Sequence, residues 1–267
     1  MAQEDLMELL EGKTEETFVT ATFKSTRLIN GHSVETRQQG ILEFIISHRF
    51  GTVNSGYQEF WGLDNSSIRL GLEYGLTDNL NIGIGRASFG KVLDGFLKYR
   101  VIRQSSSAPF TVTLFTSITR KTAEDSRLES TDRNAYTGQI LLARKFNSRL
   151  SFQLMPTIIQ RNFVETRQDD NLLLAFGVGG RYKVSNRVAM VAEYYPQLSD
   201  FSAQFYNAFA VGVDIETGGH VFQLHLTNAE QMNERGFIGE TTEDFWGGDI
   251  HYGFNISRVF DLRPNKR

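Results

Sequence analysis

The chain has 267 residues, a formal net charge of −3 and no cysteine. This charge excludes a generally basic surface, so no nucleic-acid partner is expected, and the lack of cysteine excludes disulfides and thiolate metal sites. No run of about 18 apolar residues occurs, which excludes a helical membrane protein. A hydrophobic fraction of 40% is still compatible with a membrane β-barrel, because only alternate residues of such a barrel face lipid.

The N-terminal residues precede any clear strand pattern. Asp5–Glu11 is predicted to form one or two helical turns with Asp5 as the cap, and it is too short to span a bilayer. The opening MAQEDLMELL lacks the basic and apolar regions of a signal peptide, and one hypothesis is that Ala2-Gln3 remains from an Ala-x-Ala-type cleavage site. We predict that residues 1–17 form a periplasmic or lumenal segment and that residues 18–267 form one domain, because no linker divides them.

The clearest pattern lies between Ser66 and Arg86. Alternate residues from Ile68 to Tyr74 are apolar, and the same alternation resumes at Leu80 after the turn Thr77-Asp78-Asn79. Period two is typical of strands, so this segment is predicted to be an antiparallel hairpin. Similar runs recur along the chain. After an opening run at Thr17–Thr26, the predicted strands are Gly40–Phe50, Ser67–Gly75, Leu80–Arg86, Asp94–Arg103, Phe110–Thr119, Ala135–Phe146, Leu150–Arg161, Leu172–Val184, Val188–Tyr195, Ala203–Ile215, His220–Thr227 and Gly248–Phe260.

The length and number of these runs favour a membrane barrel. Most have about nine to thirteen residues, the length that a tilted strand needs to cross a bilayer. We therefore predict an all-β fold, a single transmembrane antiparallel up-and-down barrel of about 12 strands, with a range of about 10–14. The run Thr17–Thr26 makes the count odd. Either it is a periplasmic or lumenal segment, or one strand is wrongly assigned near Asn30-Gly31, which is a strong turn signal.

Short and long connections alternate along the predicted strands. This is the asymmetry of outer-membrane barrels, which have short periplasmic turns and longer extracellular loops. Trp61 and Trp246 each stand close before a strand that would descend from the outer side, where Trp suits the membrane interface. The last loop is interpreted as an acidic outer lid that collects cations or binds a partner, or by default as a solvated loop. The predicted loops are Gly51–Ser66, Arg120–Arg133, Val164–Asn171, Pro196–Ser202 and Asn228–Phe245.

The face opposite the aliphatic one carries balanced acids and bases. These charges would either pair across the interior and narrow a solute path, or form a salt-bridged interior that only stiffens the wall. His225 and His251 lie on the last two predicted strands. They could form half of a metal site or a pH-sensitive latch, but the favoured interpretation is two polar residues of the lumen. The residues predicted to line the lumen are Glu43, Arg49, Arg69, Glu73, Asp94, Lys98, Arg100, Arg161, Arg181, Glu193, Asp214, His225, Asp249 and His251.

Motifs for nucleotide binding and catalysis fail on their context. Gly83-x-Gly85-x-x-Ser88 lacks the helix that follows a dinucleotide loop, and Gly85-x-x-x-x-Gly90-Lys91 precedes Val92 where a phosphate loop needs Ser or Thr. Neither a Gly-x-Ser-x-Gly elbow nor a His-Glu-x-x-His helix occurs. We predict no catalytic residue, cofactor, bound metal or enzymatic activity. A lipid-facing hydrolase using the outward His48 is the enzyme alternative.

Four longer stretches resemble a known family. They are TRLINGHSVET (Thr26–Thr36), LEFIISHRFG (Leu42–Gly51), SIRLGLEYGLTDNLNIGIGR (Ser67–Arg86) and LDGFLKYRVIRQ (Leu93–Gln104). Together they resemble an uncharacterised family of Gram-negative outer-membrane β-barrel proteins, known only as a domain of unknown function. The resemblance spans most of the chain after Thr17. It implies the barrel fold and a location in the outer membrane of a Gram-negative bacterium, and it supplies no catalytic or ligand residue.

The predicted function is a channel or transporter for small polar solutes, with the charged lumen as the path. The alternative is a closed structural or assembly barrel that binds other envelope proteins through its loops or N-terminal segment. A soluble β-barrel that binds a lipid is a third alternative. The expected partners are outer-membrane lipid, a small polar solute and envelope proteins.

Overall fold

A computed structural model describes residues 16–126, 128–164, 169–199, 204–218 and 220–263. Twelve antiparallel strands form one closed barrel in which each strand pairs with its neighbours in sequence and β1 pairs with β12. The strands are β1 Ile41–Thr52, β2 Ser66–Gly75, β3 Leu80–Ala87, β4 Val92–Ile102, β5 Thr111–Lys121, β6 Asn134–Lys145, β7 Leu150–Arg161, β8 Leu172–Lys183, β9 Val188–Tyr195, β10 Ala208–Thr217, β11 His220–Thr227 and β12 His251–Asp261.

Alternation of side chains produces the two faces of the wall. In β2, Ile68, Leu70 and Leu72 point outward and remain exposed, whereas Arg69 and Glu73 point inward and are buried. Outward apolar side chains form a continuous surface suited to lipid. The prediction of a single antiparallel all-β barrel of about 12 strands is therefore confirmed. Within the described residues, no helix is both long and apolar enough to cross a membrane.

The connections define two ends of the barrel. The turn end carries the short connections that follow β2, β4, β6, β8 and β10, and the loop end carries those that follow the odd-numbered strands. The predicted alternation of short and long connections has one exception, because β3 and β4 are joined at the loop end by only Ser88–Lys91. At the same end, 3₁₀ turns occupy Val53–Ser55 and Tyr57–Gly62.

The run Thr17–Thr26 forms no strand of the wall, and of the two alternatives left open by the sequence the structure supports the periplasmic or lumenal segment. Phe18 makes only an isolated bridge to Ser105 at the turn end, and the chain from Thr22 to Val34 is almost fully buried inside the barrel. The strand predicted at Gly248–Phe260 begins three residues later, at His251. The helical turns at Asp5–Glu11 and the cleavage remnant at Ala2-Gln3 lie outside the described residues, as does most of the predicted segment 1–17.

The main apolar core lies inside the barrel. It joins inward residues of β5 to β10 to residues of two inserted segments, and it excludes water from the middle of the lumen. Its members are Phe23, Leu28, Ile29, Val34, Phe115, Leu141, Ala143, Met155, Ile159, Leu173, Ala175, Val191, Tyr195, Ala208, Ala210, Ala229, Phe237 and Ile238.

Candidate functional site

The first inserted segment is a tight hairpin, residues 22–34, called here the lumenal hairpin. The Leu28 amide donates to the Gly31 carbonyl at 2.8 Å, and the Ser33 amide donates to the Thr26 carbonyl at 2.9 Å. Asn30-Gly31 lies at its tip, which confirms the turn signal seen in the sequence. A Cβ on Gly31 would overlap the hydroxyl of Tyr195, so glycine lets the tip approach the wall.

Glu193 of β9 holds the tip of the lumenal hairpin. Its buried carboxylate accepts hydrogen bonds from the backbone amides of Ile29 at 3.3 Å, Asn30 at 2.6 Å and Gly31 at 3.3 Å. From the other side of the lumen, Arg49 Nη2 donates to Asn30 Oδ1 at 2.6 Å. Hydrogen bonds to charged groups are stronger than neutral ones, so these contacts fix the tip between β1 and β9.

Other wall side chains hold the backbone of the lumenal hairpin and the residues after it. Gln153 Nε2 donates to the His32 carbonyl at 2.8 Å, while Gln153 Oε1 accepts from the Val34 amide at 2.8 Å. Lys98 Nζ donates to the Thr26 carbonyl at 3.0 Å. Because these donors and acceptors satisfy backbone groups of a segment without a sheet partner, they replace the ladder that a strand would have had.

Beyond the hairpin, an ion pair holds the chain as it leaves the lumen toward β1. Arg37 Nε and Nη2 donate to the two carboxylate oxygens of Glu43 at 2.8 and 2.6 Å. Glu43 also accepts from Thr26 Oγ1 at 2.9 Å. One buried wall carboxylate thus binds both the start and the exit of the segment, and bidentate geometry makes the contact with Arg37 specific.

The second inserted segment comes from the connection between β11 and β12. It carries the helix α1, Glu234–Gly239, whose six residues are all buried, and Asn233 caps the helix by accepting from the Gly236 amide at 3.0 Å. Phe237 packs edge-to-face on Tyr195 with 5.0 Å between ring centroids. The expectation that Asn228–Phe245 is a solvated outer loop is therefore wrong for its middle, which lies inside the barrel because its apolar residues are buried there.

The two inserted segments contact each other. Arg27 Nη1 of the lumenal hairpin lies 3.8 Å from Glu234 Oε1, and His32 Nε2 lies 3.6 Å from the same oxygen. The His32 ring also packs against Phe96 and Phe115 of the wall, at centroid distances of 4.6 and 4.3 Å. Hairpin and α1 thus form one plug that fills the lumen.

Above α1, the loop end of the barrel holds a cavity of about 410 Å³, called here the mouth cavity. Glu240 lies in its lining and accepts from Arg235 Nε at 2.8 Å, with Lys121 Nζ 2.9 Å away. Burial alone would raise the pKa of Glu240, but the charges of Arg235 and Lys121 outweigh it and lower the pKa to about 2. In the same lining, burial and the nearby Glu243 carboxylate raise the pKa of Glu230 to about 7.

The structure places most of the residues predicted to line the lumen on the inner face. Arg69 and Asp94 form a buried bidentate pair with 2.9 Å between Nε and Oδ1, and Lys98 lies 3.9 Å from Glu73. Arg100 and Asp249 differ: Arg100 is half-buried and bonds to the turn at Asn79, and Asp249 lies in the loop before β12. The twelve that are buried are Glu43, Arg49, Arg69, Glu73, Asp94, Lys98, Arg161, Arg181, Glu193, Asp214, His225 and His251.

The two lumen histidines occupy offset positions on neighbouring strands. His225 of β11 pairs with Gly253, and His251 of β12 pairs with Thr227. His225 is absent from the group of potential metal ligands found among the described residues, which contains His251 with Glu230 and Glu243. The structure therefore associates His251 with the β11–β12 loop and does not pair it with His225 as ligands.

The inner wall has an apolar part that the alternating pattern did not predict. We call the inward charged residues of β1, β2 and β4 the charged arc, and the inward apolar residues of β5 to β9 the apolar arc. The signal was present, because Leu172–Phe176 is apolar on both faces, as expected for a strand covered on both sides. The charged arc contains Glu43, Arg49, Arg69, Glu73, Asp94 and Lys98, and the apolar arc contains Phe115, Leu141, Met155, Ile159, Leu173 and Val191.

A closed antiparallel barrel with an apolar outer surface defines the class of membrane β-barrels. Within that class, residues 23–260 match the family described as "Membrane bound beta barrel domain (DUF5777)". The chain belongs to this family. The match begins inside the lumenal hairpin, so the plug is part of the family domain. No curated protein matches the chain.

Solved structures with the same fold include porins and channels. The NanC porin is 10% identical, with a TM-score of 0.51 over 84% of this chain and 100% of that one. The KdgM porin is 9% identical, with a TM-score of 0.50 over 82% and 99%. An outer-membrane channel from Pseudomonas putida F1 is 16% identical, with a TM-score of 0.51 over 85% and 98%. At such identities the likeness establishes the barrel fold.

Proposed function

We propose that the protein is an outer-membrane channel for small polar solutes in a Gram-negative bacterium, closed in this structure by its own inserted segments. The observation that carries the proposal is that chain segments, rather than wall side chains, fill the lumen. A wall that admits a hairpin and a helical turn encloses a wide bore, and displacement of these segments would leave a path lined by charged residues. In the orientation typical of outer-membrane barrels, the turn end faces the periplasm and the loop end faces the outside of the cell.

The polar contacts of the plug support a path for polar solutes. Lys98, Arg49 and Glu193 all bond to hairpin groups that a polar solute could replace, namely carbonyls, an amide oxygen and amides. Side chains that already solvate a peptide can solvate an incoming hydrogen-bonding solute in the same way. The fold shared with porins and channels agrees with this proposal, which assigns no catalytic role to the chain.

Planar-bilayer recordings with two plug variants test the proposal. One variant lacks residues 1–36, which removes the lumenal hairpin but keeps Arg37 for Glu43. In the other, Gly-Ser residues also replace 231–242, which removes α1. We expect conductance to rise at least about tenfold over the full chain in the second variant, because both segments that fill the bore are absent.

A thiol cross-link supplies the matched control. The chain has no cysteine, and Asn30 Nδ2 lies 3.4 Å from Thr227 Oγ1, so Asn30→Cys and Thr227→Cys can be joined by a short bifunctional thiol reagent that ties the hairpin to β11. Openings of the cross-linked protein should be fewer than those of the same double variant without the reagent. A correctly folded barrel that lacks both segments and still does not conduct would contradict the channel and favour a closed structural barrel.

One observation favours that second candidate, an assembly barrel that binds envelope proteins. Aromatic side chains are held outward on the loop end, where Tyr57 and Trp246 are 75% and 81% exposed. Phe60 and Trp61 adopt positive φ angles of 46° and 51°, an unfavourable conformation for such bulky residues. Cross-linking in the native envelope should capture a stoichiometric partner, and Phe60→Ser with Trp61→Ser should abolish it. Unchanged capture by this variant would exclude the aromatic surface as the contact.

A further inference from the structure

Three potential metal ligands meet where the β11–β12 loop leaves and rejoins the wall. Glu230 lies three residues after β11 ends, Glu243 lies in the returning part of the loop, and His251 is the first residue of β12. One ligand atom of each lies within 4.8 Å of those of the other two. Both glutamates line the mouth cavity, which gives a cation a route from the loop end.

The wall fixes the ring of His251. The residue is only 2% exposed, and its Nδ1 lies 2.7 Å from the Phe50 carbonyl oxygen. A carbonyl accepts only, so Nδ1 carries the proton and Nε2 has a free lone pair. Nε2 is buried and has no hydrogen-bond partner among the described residues. A ring nitrogen bonded to a backbone carbonyl, with the other nitrogen free, is the usual arrangement of a metal-ligating histidine.

Among the described residues, neither glutamate forms an ion pair with a basic side chain. The carboxylate of Glu243 accepts from the Thr242 amide at 3.1 Å and from Thr242 Oγ1 at 2.9 Å, which orients it. Glu230 and Glu243 are partly buried and repel each other. A divalent cation between them would neutralise both charges, and it would use the free Nε2 of His251.

We propose that Glu230, Glu243 and His251 bind a divalent transition-metal cation of the zinc type. One imidazole nitrogen and two carboxylates suit Zn²⁺, whereas Mg²⁺ and Ca²⁺ favour all-oxygen sites. The three ligands leave a fourth position for water or another ligand. Because two ligands lie on the loop and one on β12, the cation clamps α1 in the lumen. Binding of the cation is independent of the proposed channel, and only an effect on conductance would depend on it.

Calorimetric titration of the folded, metal-free barrel in detergent with ZnCl₂ tests the site. We expect one Zn²⁺ per chain. We also expect Glu230→Gln, Glu243→Gln and His251→Asn each to lower the affinity by at least about tenfold. The matched controls are His220→Asn at the far end of β11 and Glu129→Gln in the exposed β5–β6 loop, and both should bind as the unmodified chain does. An excess of Mg²⁺ should not displace Zn²⁺.

Hydrogen exchange of residues 228–250 supplies a second measurement. Zn²⁺ should slow exchange in the unmodified chain and leave the Glu243→Gln variant unchanged. No binding by the unmodified chain, or equal binding by all variants, would overturn the proposal. Heat-dependent migration in gels identifies the variants that fold. If His251→Asn does not fold, Glu230→Gln still tests the site, because Glu230 lies in a loop outside the strands. A barrel that binds Zn²⁺ but never conducts would overturn the channel and leave this site standing.

Discussion

The charged arc and the apolar arc hold the same plug by different means. On the charged arc, Lys98 and Glu43 bind backbone and side-chain groups of the inserted segment, and Arg69 and Asp94 pair with each other. On the apolar arc, wall residues such as Leu141 pack with Leu28 and Phe237 in one core. Buried ion pairs add little net stability but impose geometry, whereas apolar burial stabilises without direction. The charged arc therefore specifies where the plug lies, and the apolar arc supplies most of the stabilisation.

This division has a consequence for opening. Displacement of the plug exposes apolar surface on one side of the bore and leaves charged groups available to water on the other. The apolar side opposes displacement, while water or a solute can replace the polar contacts at small cost.

The largest effect is expected from the buried pair of the charged arc. Asp94→Ala leaves the Arg69 guanidinium buried without its partner and should lower the free energy of unfolding by about 3–5 kcal/mol. Urea unfolding of the barrel in lipid vesicles measures it. Asp64→Ala, on the exposed β1–β2 loop, is the control. The double variant Arg69→Met with Asp94→Leu should recover most of the loss, and failure to recover would show that the charges themselves stabilise the arc.

A smaller effect is expected on the apolar arc. Leu141 is fully buried in the lumen, and its neighbour Ile140 on β6 faces outward with 48% of its surface exposed. Leu141→Ala should lower the free energy of unfolding by about 2–5 kcal/mol because it removes core contacts and leaves a cavity. Ile140→Ala, in the same strand but on its outward face, should lower the free energy of unfolding clearly less. Equal losses in the same unfolding measurement would contradict a packed core inside the barrel.

The wall was predictable from the sequence, and the plug was not. Alternation along β2 and β3 reveals strand, face and charge at once, because each strand repeats the same local rule. Residues 22–34 follow no such rule: their hydrogen bonds go to Glu193 and Gln153, more than a hundred positions away. Only Asn30-Gly31 carried a local signal, and it correctly indicated a turn.

The β11–β12 loop shows a second reason for failure. Its acidic composition suggested a solvated loop, but Phe237 and Ile238 stand together in its middle and are fully buried. Average charge concealed these two residues, although Asn233 before Glu234 is a recognisable helix start. Of the ion pairs that offset the acidity, Glu240 with Arg235 lies within the loop itself, and Glu240 with Lys121 depends on β5, a strand distant in sequence.

Those ion pairs give a pH-dependent prediction at the mouth cavity. The pKa of Glu240 is lowered to about 2, so its ionised form stabilises the fold above the ordinary pKa near 4.5, and this stability is lost as pH falls toward 2. The full contribution is at most about 3 kcal/mol. In thermal unfolding, the melting temperature of the unmodified chain should exceed that of Glu240→Gln at pH 7, and this difference should narrow by pH 3. A difference in melting temperature that does not change with pH would contradict the ion-pair account. The control Glu129→Gln should melt at the same temperature as the unmodified chain.

The smallest effect concerns a neutral contact that joins the arcs through the plug. Gln153 faces the lumen in β7 and is fully buried, and its amide bonds to both His32 and Val34 of the hairpin. Gln153→Leu keeps the size of the side chain but leaves the His32 carbonyl and the Val34 amide without partners. This should lower the free energy of unfolding by about 1–3 kcal/mol. Hydrogen exchange at the Val34 amide should accelerate. Gln160→Leu, on the outward face of the same strand, should leave that amide unchanged. If exchange at Val34 stays slow in both variants, apolar packing alone retains the hairpin, and the polar contacts only orient it.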